Sequence, residues 1–255
     1  IMEQAQTSGP ANGALLYRSV LITGGAGGLG TAIARRLGRA GATVIVTDVA
    51  PPRIEQVVAG LQAEGVRALG VRLDVGDERD VQAGIDEVLS RTGRLDVLIN
   101  NAAIDVTTSL AQLETADWDR IVRTNLTGPF LLAKHASAVM REQTAGIRGQ
   151  IVNIASTAAK RAWPNAVAYH ATKWGLLGMS HALHAELRGD GIKVSAIVAG
   201  GMRTPFLLDR FPELDPARLQ DPAHVADAVH YLLCLPAETV IPEMMVIPMT
   251  ESSWP

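Results

Sequence analysis

A glycine-rich stretch between a β-branched run and a helical segment constrains this chain more than any other feature. Residues 24–30 read Gly-Gly-Ala-Gly-Gly-Leu-Gly; they follow a strand predicted at 19–23 and lead into a helix predicted at 29–39. Glycines let the backbone turn sharply and let phosphate oxygens approach without meeting a Cβ atom. A helix N-terminus adds free N–H groups and the positive end of a dipole. The stretch therefore predicts a dinucleotide-binding turn, the alternative being a glycine-rich turn without a ligand.

Two spacings fit these glycines. The pattern GxGxxG, beginning at Gly25, matches the general dinucleotide fingerprint, whereas TGxxxGxG, beginning at Thr23, is a different arrangement. Both place small residues where a strand passes into a helix, so the glycines alone do not choose between them.

Asp48 ends a second predicted strand and indicates which dinucleotide binds. It follows the glycines by about 20 residues, where an acidic side chain hydrogen-bonds both ribose hydroxyls of NAD. The 2′-phosphate of NADP would meet the same carboxylate, and the nearest basic residue, Arg53, stands five positions further on. The sequence therefore predicts NAD rather than NADP, the alternative for Asp48 being a helix cap or a solvated strand end.

Short β-branched runs alternate with longer segments of helical period along the chain. Strands are predicted at 19–23, 43–48, 68–73, 95–100, 150–154, 193–198 and 243–247, and helices at 29–39, 54–64, 78–91, 117–142, 167–188 and 222–235. Such alternation is typical of a parallel sheet covered on both faces, and right-handed crossovers then give a doubly wound α/β fold. We expect one catalytic domain over residues 17–255, with a flexible arm at 1–16.

Composition excludes several classes of protein. Hydrophobic residues make up 47% of the 255 residues and charged residues 19%, which supports a sizeable core. No apolar run approaches the roughly 20 residues of a membrane span. The net charge of −3 gives no basic field for nucleic acid, and Cys234 is the only cysteine. We expect a cytoplasmic protein that binds neither nucleic acid nor membrane, and no metal, since His181 and His184 lack a third ligand.

Tyr169 and Lys173 form a candidate acid–base pair. They stand four residues apart at the start of a predicted helix, so they share one face of it. A nearby ammonium favours phenolate over phenol and lowers the tyrosine pKa from about 10. Taken alone, a tyrosine and a lysine at this spacing are also a common surface pair.

Further motifs accompany this pair in a fixed order: Asp74-Val75 after the third strand, Asn100-Asn101-Ala102-Ala103 after the fourth, Asn125 in a long helical segment, and Ser156, 13 residues before Tyr169. With these motifs the chain resembles the short-chain dehydrogenase/reductase family over about residues 19–235. The resemblance selects the TGxxxGxG spacing of the glycine turn. It implies a single-domain, Rossmann-like fold of about seven strands.

The resemblance also implies a role for each matching residue. Tyr169 would be the acid–base residue, Ser156 would hold the substrate oxygen, and Lys173 would lower the tyrosine pKa and bind the nicotinamide ribose. Asn125 would hold a water linking Lys173 to solvent, beside a local disturbance of the helix at Gly128-Pro129. The cofactor contacts would be Gly24, Gly28, Leu29, Gly30, Asp48, Asp74, Val75, Asn101, Ala102, Tyr169, Lys173, Gly200 and Thr204.

The sequence departs from the family pattern near its end. Ala103 replaces a glycine, and Ala199-Gly200 replaces Pro-Gly ahead of a loop-like stretch at about 200–220, where the family places a substrate lid. The tail after residue 243 lacks the family's usual ending. The resemblance implies a homotetramer or homodimer through the helices that hold Asn125 and Tyr169. In the family the tail often helps to build a tetramer interface, and we expect that interface to differ here.

The lid sequence suggests the substrate. It carries Phe206 and Phe211 with Arg210 between them, and Trp163 precedes the catalytic tyrosine. This predicts a hydrophobic secondary alcohol or its ketone, with any anionic group lying near Arg210. The alternatives are reduction of a 3-oxoacyl thioester, isomerisation or dehydration with bound NAD, and a non-catalytic NAD-binding sensor or structural protein.

Overall fold

The computed structural model describes residues 15–144 and 148–251. Within them, seven parallel strands form one sheet in the order β3-β2-β1-β4-β5-β6-β7. The strands are β1 (Ser19–Thr23), β2 (Thr43–Asp48), β3 (Arg67–Arg72), β4 (Val97–Asn100), β5 (Gly149–Ser156), β6 (Ile192–Ala199) and β7 (Glu243–Val246). The sequence predicted each of them to within three residues at either end, and the doubly wound fold is confirmed.

Helices connect successive strands. They are α1 (Gly28–Arg39), α2 (Pro51–Ala63), α3 (Glu78–Thr92), α4 (Thr115–Val122), α5 (Gly128–Arg141), α6 (Val167–Leu187), α7 (Pro205–Leu208) and α8 (Pro222–Leu233). Prolines at the first turns of α2 and α8 fit the helix start, where a missing N–H breaks no helical bond.

The core lies on both faces of the sheet. On one face, α1 and α8 pack against each other and against the sheet through residues such as Ile33 and Val229. On the other, α3 and α5 pack through Ile85 and Leu132. Because both faces are covered, the central strands read as continuous apolar runs rather than alternating ones. No helix among the described residues combines the length and apolarity needed to cross a bilayer.

The segment predicted as one helix at 117–142 is two helices joined by a π-helical turn over Arg123–Thr127. The Gly128 amide donates back to the Arg123 carbonyl, five residues earlier, and Pro129 has no N–H to donate. The disturbance predicted at Gly128-Pro129 is therefore present, and it places Asn125 inside a widened turn.

The predicted N-terminal arm falls outside the described residues except for its last two. Of these, Leu15 is buried in the core against the α1 face of the sheet. An apolar side chain at position 15 thus already packs with the domain, and the domain boundary itself remains a prediction.

The sheet order reverses between β3 and β4. After β3 the chain crosses to the far side of β1, so that β1 has β2 on one edge and β4 on the other. In open α/β sheets the crevice at the carboxyl ends of the strands, at such a reversal, is where ligands bind.

Candidate active site

A cleft of about 1400 Å³ opens at the carboxyl ends of β1, β4, β5 and β6. The predicted site residues that line it are Gly24, Gly28, Leu29, Gly30, Asp48, Asp74, Val75, Asn101, Ala102, Ser156, Tyr169, Lys173, Gly200 and Thr204. Asn125 does not line it, being buried behind the wall. Residues far apart in sequence thus meet because most of them lie just after the ends of neighbouring strands, while Tyr169 and Lys173 reach the same cleft from α6.

The glycine turn is tightly packed. Gly24 has φ +58°, in the left-handed region that favours glycine, and a Cβ there would lie 2.9 Å from the Cα of Ala102. A Cβ on Gly30 would overlap the Gly24 carbonyl oxygen. Asn101 holds the turn by donating from Nδ2 to the carbonyls of Thr23, at 2.9 Å, and Gly24, at 3.1 Å. The turn is therefore a backbone cradle of the kind that accepts a pyrophosphate.

Acidic side chains stand at the ends of β2 and β3. The Asp48 carboxylate accepts a hydrogen bond from the Ala50 amide at 3.2 Å and lines the cleft with its neighbour Val49. Arg53 lies at the same end, donating to the Ala26 carbonyl in the glycine turn at 3.0 Å. Asp74 accepts from the Gly76 amide at 2.9 Å. These positions suit the ribose and adenine end of a dinucleotide.

Tyr169 lies on α6 and faces the cleft. Burial raises its pKa to about 12; the nearby Asp105 carboxylate also raises it, while hydrogen bonding with Ser156 and the charge of Arg210 lower it. The net shift is upward because desolvation of the phenolate outweighs the hydrogen bond with Ser156 and the charge of Arg210. That Lys173 lowers the tyrosine pKa remains a prediction. The phenol is a proton donor as the chain holds it.

Lys173 is buried one helical turn further along α6. Its Nζ donates to the Ile154 carbonyl at 2.8 Å and lies 5.6 Å from the centre of the Tyr169 ring. Burial lowers its pKa to about 8. Ser156, at the end of β5, lines the cleft, and its hydroxyl oxygen accepts a hydrogen bond from the Ala158 amide at 3.2 Å.

The side chain of Asn125 holds the segment after β4 in place by hydrogen bonds to its backbone. Its Oδ1 accepts from the Ile104 amide and its Nδ2 donates to the Ile104 carbonyl, both at 2.8 Å, and Nδ2 also lies 3.3 Å from the Thr172 hydroxyl. The side chain is therefore committed to backbone positioning. The relay water predicted for it remains a prediction.

The lid is less apolar than its sequence suggested. Phe206 on α7 lies 6.1 Å from the Tyr169 ring, centre to centre, as an apolar wall should. Arg210, however, is ion-paired with Asp105 across the cleft. The guanidinium that the sequence offered to a substrate anion is thus already paired within the chain, and an anionic substrate group near it remains a prediction.

Sequence reasoning missed several cleft residues, among them Asp105 and Glu251. Asp105 directly follows the Asn-Asn-Ala-Ala-Ile stretch and lines the cleft. Its closeness in sequence to a cofactor motif could have identified it as a cleft residue. Glu251 comes from the atypical tail and accepts from the Gly201 amide at 3.2 Å. The tail also reaches the lid through Thr250, whose hydroxyl donates to the Arg218 carbonyl at 2.8 Å. The unusual ending thus braces the lid.

Two other predicted features have local roles. Trp163 lines the cleft and meets His170 edge to face at 4.3 Å. His181 contacts Glu243 at 3.1 Å. No group of three or more histidine, cysteine, aspartate or glutamate side chains within residues 15–144 and 148–251 is arranged to hold a metal ion.

Comparison with known proteins agrees with this geometry. A protein-family model described as short chain dehydrogenase matches residues 18–214. The chain is 34% identical to (2S)-[(R)-hydroxy(phenyl)methyl]succinyl-CoA dehydrogenase subunit BbsD of Thauera aromatica, over 84% of this chain and 88% of that one. It is 33% identical to the 3-oxoacyl-[acyl-carrier-protein] reductase of a Synechocystis species, over 89% and 94%.

A solved structure shares the fold. The crystal structure of a metagenomic short-chain oxidoreductase in complex with NADP superposes with a TM-score of 0.81 at 31% identity. The match covers 92% of this chain and 99% of that one.

Proposed function

The chain belongs to the short-chain dehydrogenase family of oxidoreductases, and from this membership we propose that it interconverts a hydrophobic secondary alcohol and its ketone with NAD as cofactor. The observation that carries the proposal is the meeting of Tyr169, Ser156 and Lys173 at one end of a cleft whose other end carries Asp48. Apolar lid and wall residues, Phe206 and Trp163 among them, support an apolar substrate.

The chain's own residues handle the proton. In reduction the Tyr169 hydroxyl donates its proton to the substrate oxygen as that oxygen gains negative charge, and in oxidation the phenolate takes the alcohol proton. The Ser156 hydroxyl donates a hydrogen bond to the same oxygen and stabilises the charge developing on it. Lys173 adds positive charge one helical turn away. A nicotinamide ring, when bound, supplies or accepts the hydride.

The choice of NAD rests on Asp48. Its carboxylate at the end of β2 suits two ribose hydroxyls and repels a 2′-phosphate. The metagenomic neighbour was solved with NADP, and Arg53 stands near the same end of the cleft. A cofactor comparison is therefore part of the test.

The test is the rate of NADH formation by purified protein with a panel of secondary alcohols, with Tyr169→Phe alongside. We expect turnover with NAD that the variant loses. A variant that kept near-normal turnover would contradict the mechanism. Because a relative is a 3-oxoacyl-[acyl-carrier-protein] reductase, acetoacetyl-CoA with NADPH forms a second arm. Faster turnover there would replace the alcohol assignment with a thioester one.

We also propose that the protein forms a homodimer or homotetramer through α4, α5 and α6. Large apolar side chains are exposed on these helices: Trp118, Phe130, Val167 and Trp174. Light scattering coupled to gel filtration tests this, with Phe130→Glu expected to lower the measured mass. A monomeric mass for the unmodified protein would contradict the proposal.

A further inference from the structure

The ion pair of Asp105 and Arg210 stands in the cleft wall, and the proposed reaction does not use it. We propose that this pair recognises a second hydroxyl group on the substrate, so that the enzyme acts on a neutral diol, or the matching hydroxyketone, with an otherwise apolar frame. The inference rests on the proposed oxidoreductase function and names a substrate class for it.

Asp105 presents an unused acceptor. Its side chain is only 6% exposed. One oxygen, Oδ2, pairs with Arg210 and lies 3.3 Å from the Thr107 hydroxyl. The other, Oδ1, has no hydrogen-bond partner among the described residues although it exposes less than 1 Å². A buried acceptor without a donor is unfavourable, and native structures rarely keep one without a use.

Arg210 presents donors beside that acceptor. Its Nε donates to the Phe206 carbonyl at 2.7 Å, and its guanidinium lies over the Phe206 ring at 4.0 Å. Another N–H, on Nη1, is directed at Asp105. The guanidinium has five N–H donors, so these two bonds leave further donors for a ligand. The aromatic ring fixes the plane of the fork, so the pair is a positioned polar element beside the aromatic wall that Phe206 forms.

The pair lies next to the reacting group. Both of its charges act on the Tyr169 hydroxyl, one raising and one lowering its pKa, and the ring under Arg210 is the ring that faces Tyr169. A substrate with its reacting oxygen at Tyr169 therefore places another part of its frame against Asp105 and Arg210.

Charge complementarity selects the group that fits. Asp105 repels a carboxylate or a phosphate, and Arg210 repels an ammonium. An apolar group would cover polar atoms without compensating them. A hydroxyl both donates, to Oδ1, and accepts, from the guanidinium. Because Oδ1 exposes less than 1 Å², the proposal requires the side chains around it to shift when the substrate hydroxyl binds.

Matched substrates on one enzyme test the inference. Cyclohexanol is compared with the cyclohexane-1,2-, 1,3- and 1,4-diols in unmodified protein, Asp105→Ala, Asp105→Asn and the control Asp86→Asn, whose residue is exposed on α3. We expect kcat/KM for the best diol to exceed that for cyclohexanol by at least about tenfold, the factor of roughly one charge-assisted hydrogen bond. Asp105→Ala should bring the ratio near one. Asp105→Asn, which keeps an acceptor oxygen, should restore part of it, and Asp86→Asn should match the unmodified protein.

Binding provides a readout that needs no turnover. Calorimetry on Tyr169→Phe with NAD present should detect the preferred diol more tightly than cyclohexanol, and adding Asp105→Ala should remove the difference. Equal binding of all these alcohols, or a diol preference that survives Asp105→Ala, would overturn the inference. Turnover of cyclohexanol and the diols at equal kcat/KM would overturn it while leaving the proposed function standing. Diol binding without any oxidation would instead count against the oxidoreductase assignment.

Discussion

The ammonium of Lys173 donates a 2.8 Å hydrogen bond to the main-chain carbonyl of Ile154 on β5. This bond ties α6 to the sheet one helical turn from Tyr169. Burial at the same point lowers the pKa of Lys173 to about 8, while burial raises the pKa of Tyr169 to about 12. One helix thus carries a lysine that loses its proton readily and a tyrosine that keeps its own.

Replacing Lys173 with methionine should remove a pH dependence of stability. Between about pH 8 and pH 10 the unfolded lysine, with its ordinary pKa of 10.5, binds more protons than the folded one. The free energy of unfolding of the unmodified protein should therefore rise across this range. Relative to Lys173→Met, the gain should reach about 2 kcal/mol near pH 10. Urea denaturation of both proteins at several pH values measures it, and parallel curves would contradict it.

The direction of catalysis should follow pH. Alcohol oxidation needs the Tyr169 phenolate, and the raised pKa keeps the phenol protonated at neutral pH. We expect kcat/KM for oxidation to rise with pH, approaching tenfold per unit where the phenolate is scarce, and ketone reduction not to rise with it. Initial rates in both directions between about pH 6 and pH 10 measure this. An oxidation rate that fell with pH would argue against Tyr169 as the base.

Tyr169→Phe should lower kcat by at least about 100-fold, the usual contribution of a positioned acid–base group. Tyr231→Phe is the matched control, because Tyr231 is exposed on α8 and the same hydroxyl is removed there without effect on the cleft. Steady-state kinetics and NAD binding are measured on both. Loss of activity in both variants would indicate a general fault of folding rather than a lost proton donor.

Asp48→Ser should shift cofactor preference. Removing the carboxylate removes its repulsion of a 2′-phosphate, so the ratio of kcat/KM for NADP to that for NAD should rise at least about tenfold, which corresponds to 1.4 kcal/mol. Both values are measured on the same preparation of each enzyme, so an unfolded fraction lowers both equally and does not change their ratio. An unmodified enzyme that already preferred NADP would contradict the role given to Asp48.

Two glycine-to-alanine changes should affect different properties of the protein: one should abolish NAD binding, and the other should raise the free energy of unfolding. In Gly30→Ala the new methyl group would overlap the Gly24 carbonyl oxygen and lie 2.7 Å from the Cα of Gly25, so NAD binding should be lost. In Gly60→Ala, on α2, the methyl group would meet no described atom within 4 Å. That variant should be more stable by about 0.5–1 kcal/mol, because glycine in a helix interior is entropically unfavourable. Calorimetric titration with NAD and thermal unfolding check both; tight NAD binding by Gly30→Ala would contradict a close-packed cradle.

Much of this protein was readable from local pattern. Buried parallel strands show as β-branched runs, and the crossover rule leaves few ways to order them, so the fold and the strand ends carrying Ser156 and Asn101 followed from sequence. The glycine turn and Asp48 were readable for the same reason, since each lies at the end of a strand. The turn at Gly128-Pro129 was predictable because proline removes a donor.

What the sequence alone determined, then, is the positions of the strands along the chain and the chemical groups presented at their ends, because both depend on periodicity and residue type over a few positions. Only the tertiary structure decided the pairing of Asp105 with Arg210, 105 residues apart, and the bracing of the lid by Glu251. It also decided the sign of the Tyr169 pKa shift, because burial, which raises the pKa, outweighs the hydrogen bond with Ser156 and the charge of Arg210, which lower it. Burial and long-range pairing are properties of the packed chain, and no spacing along the sequence encodes their balance.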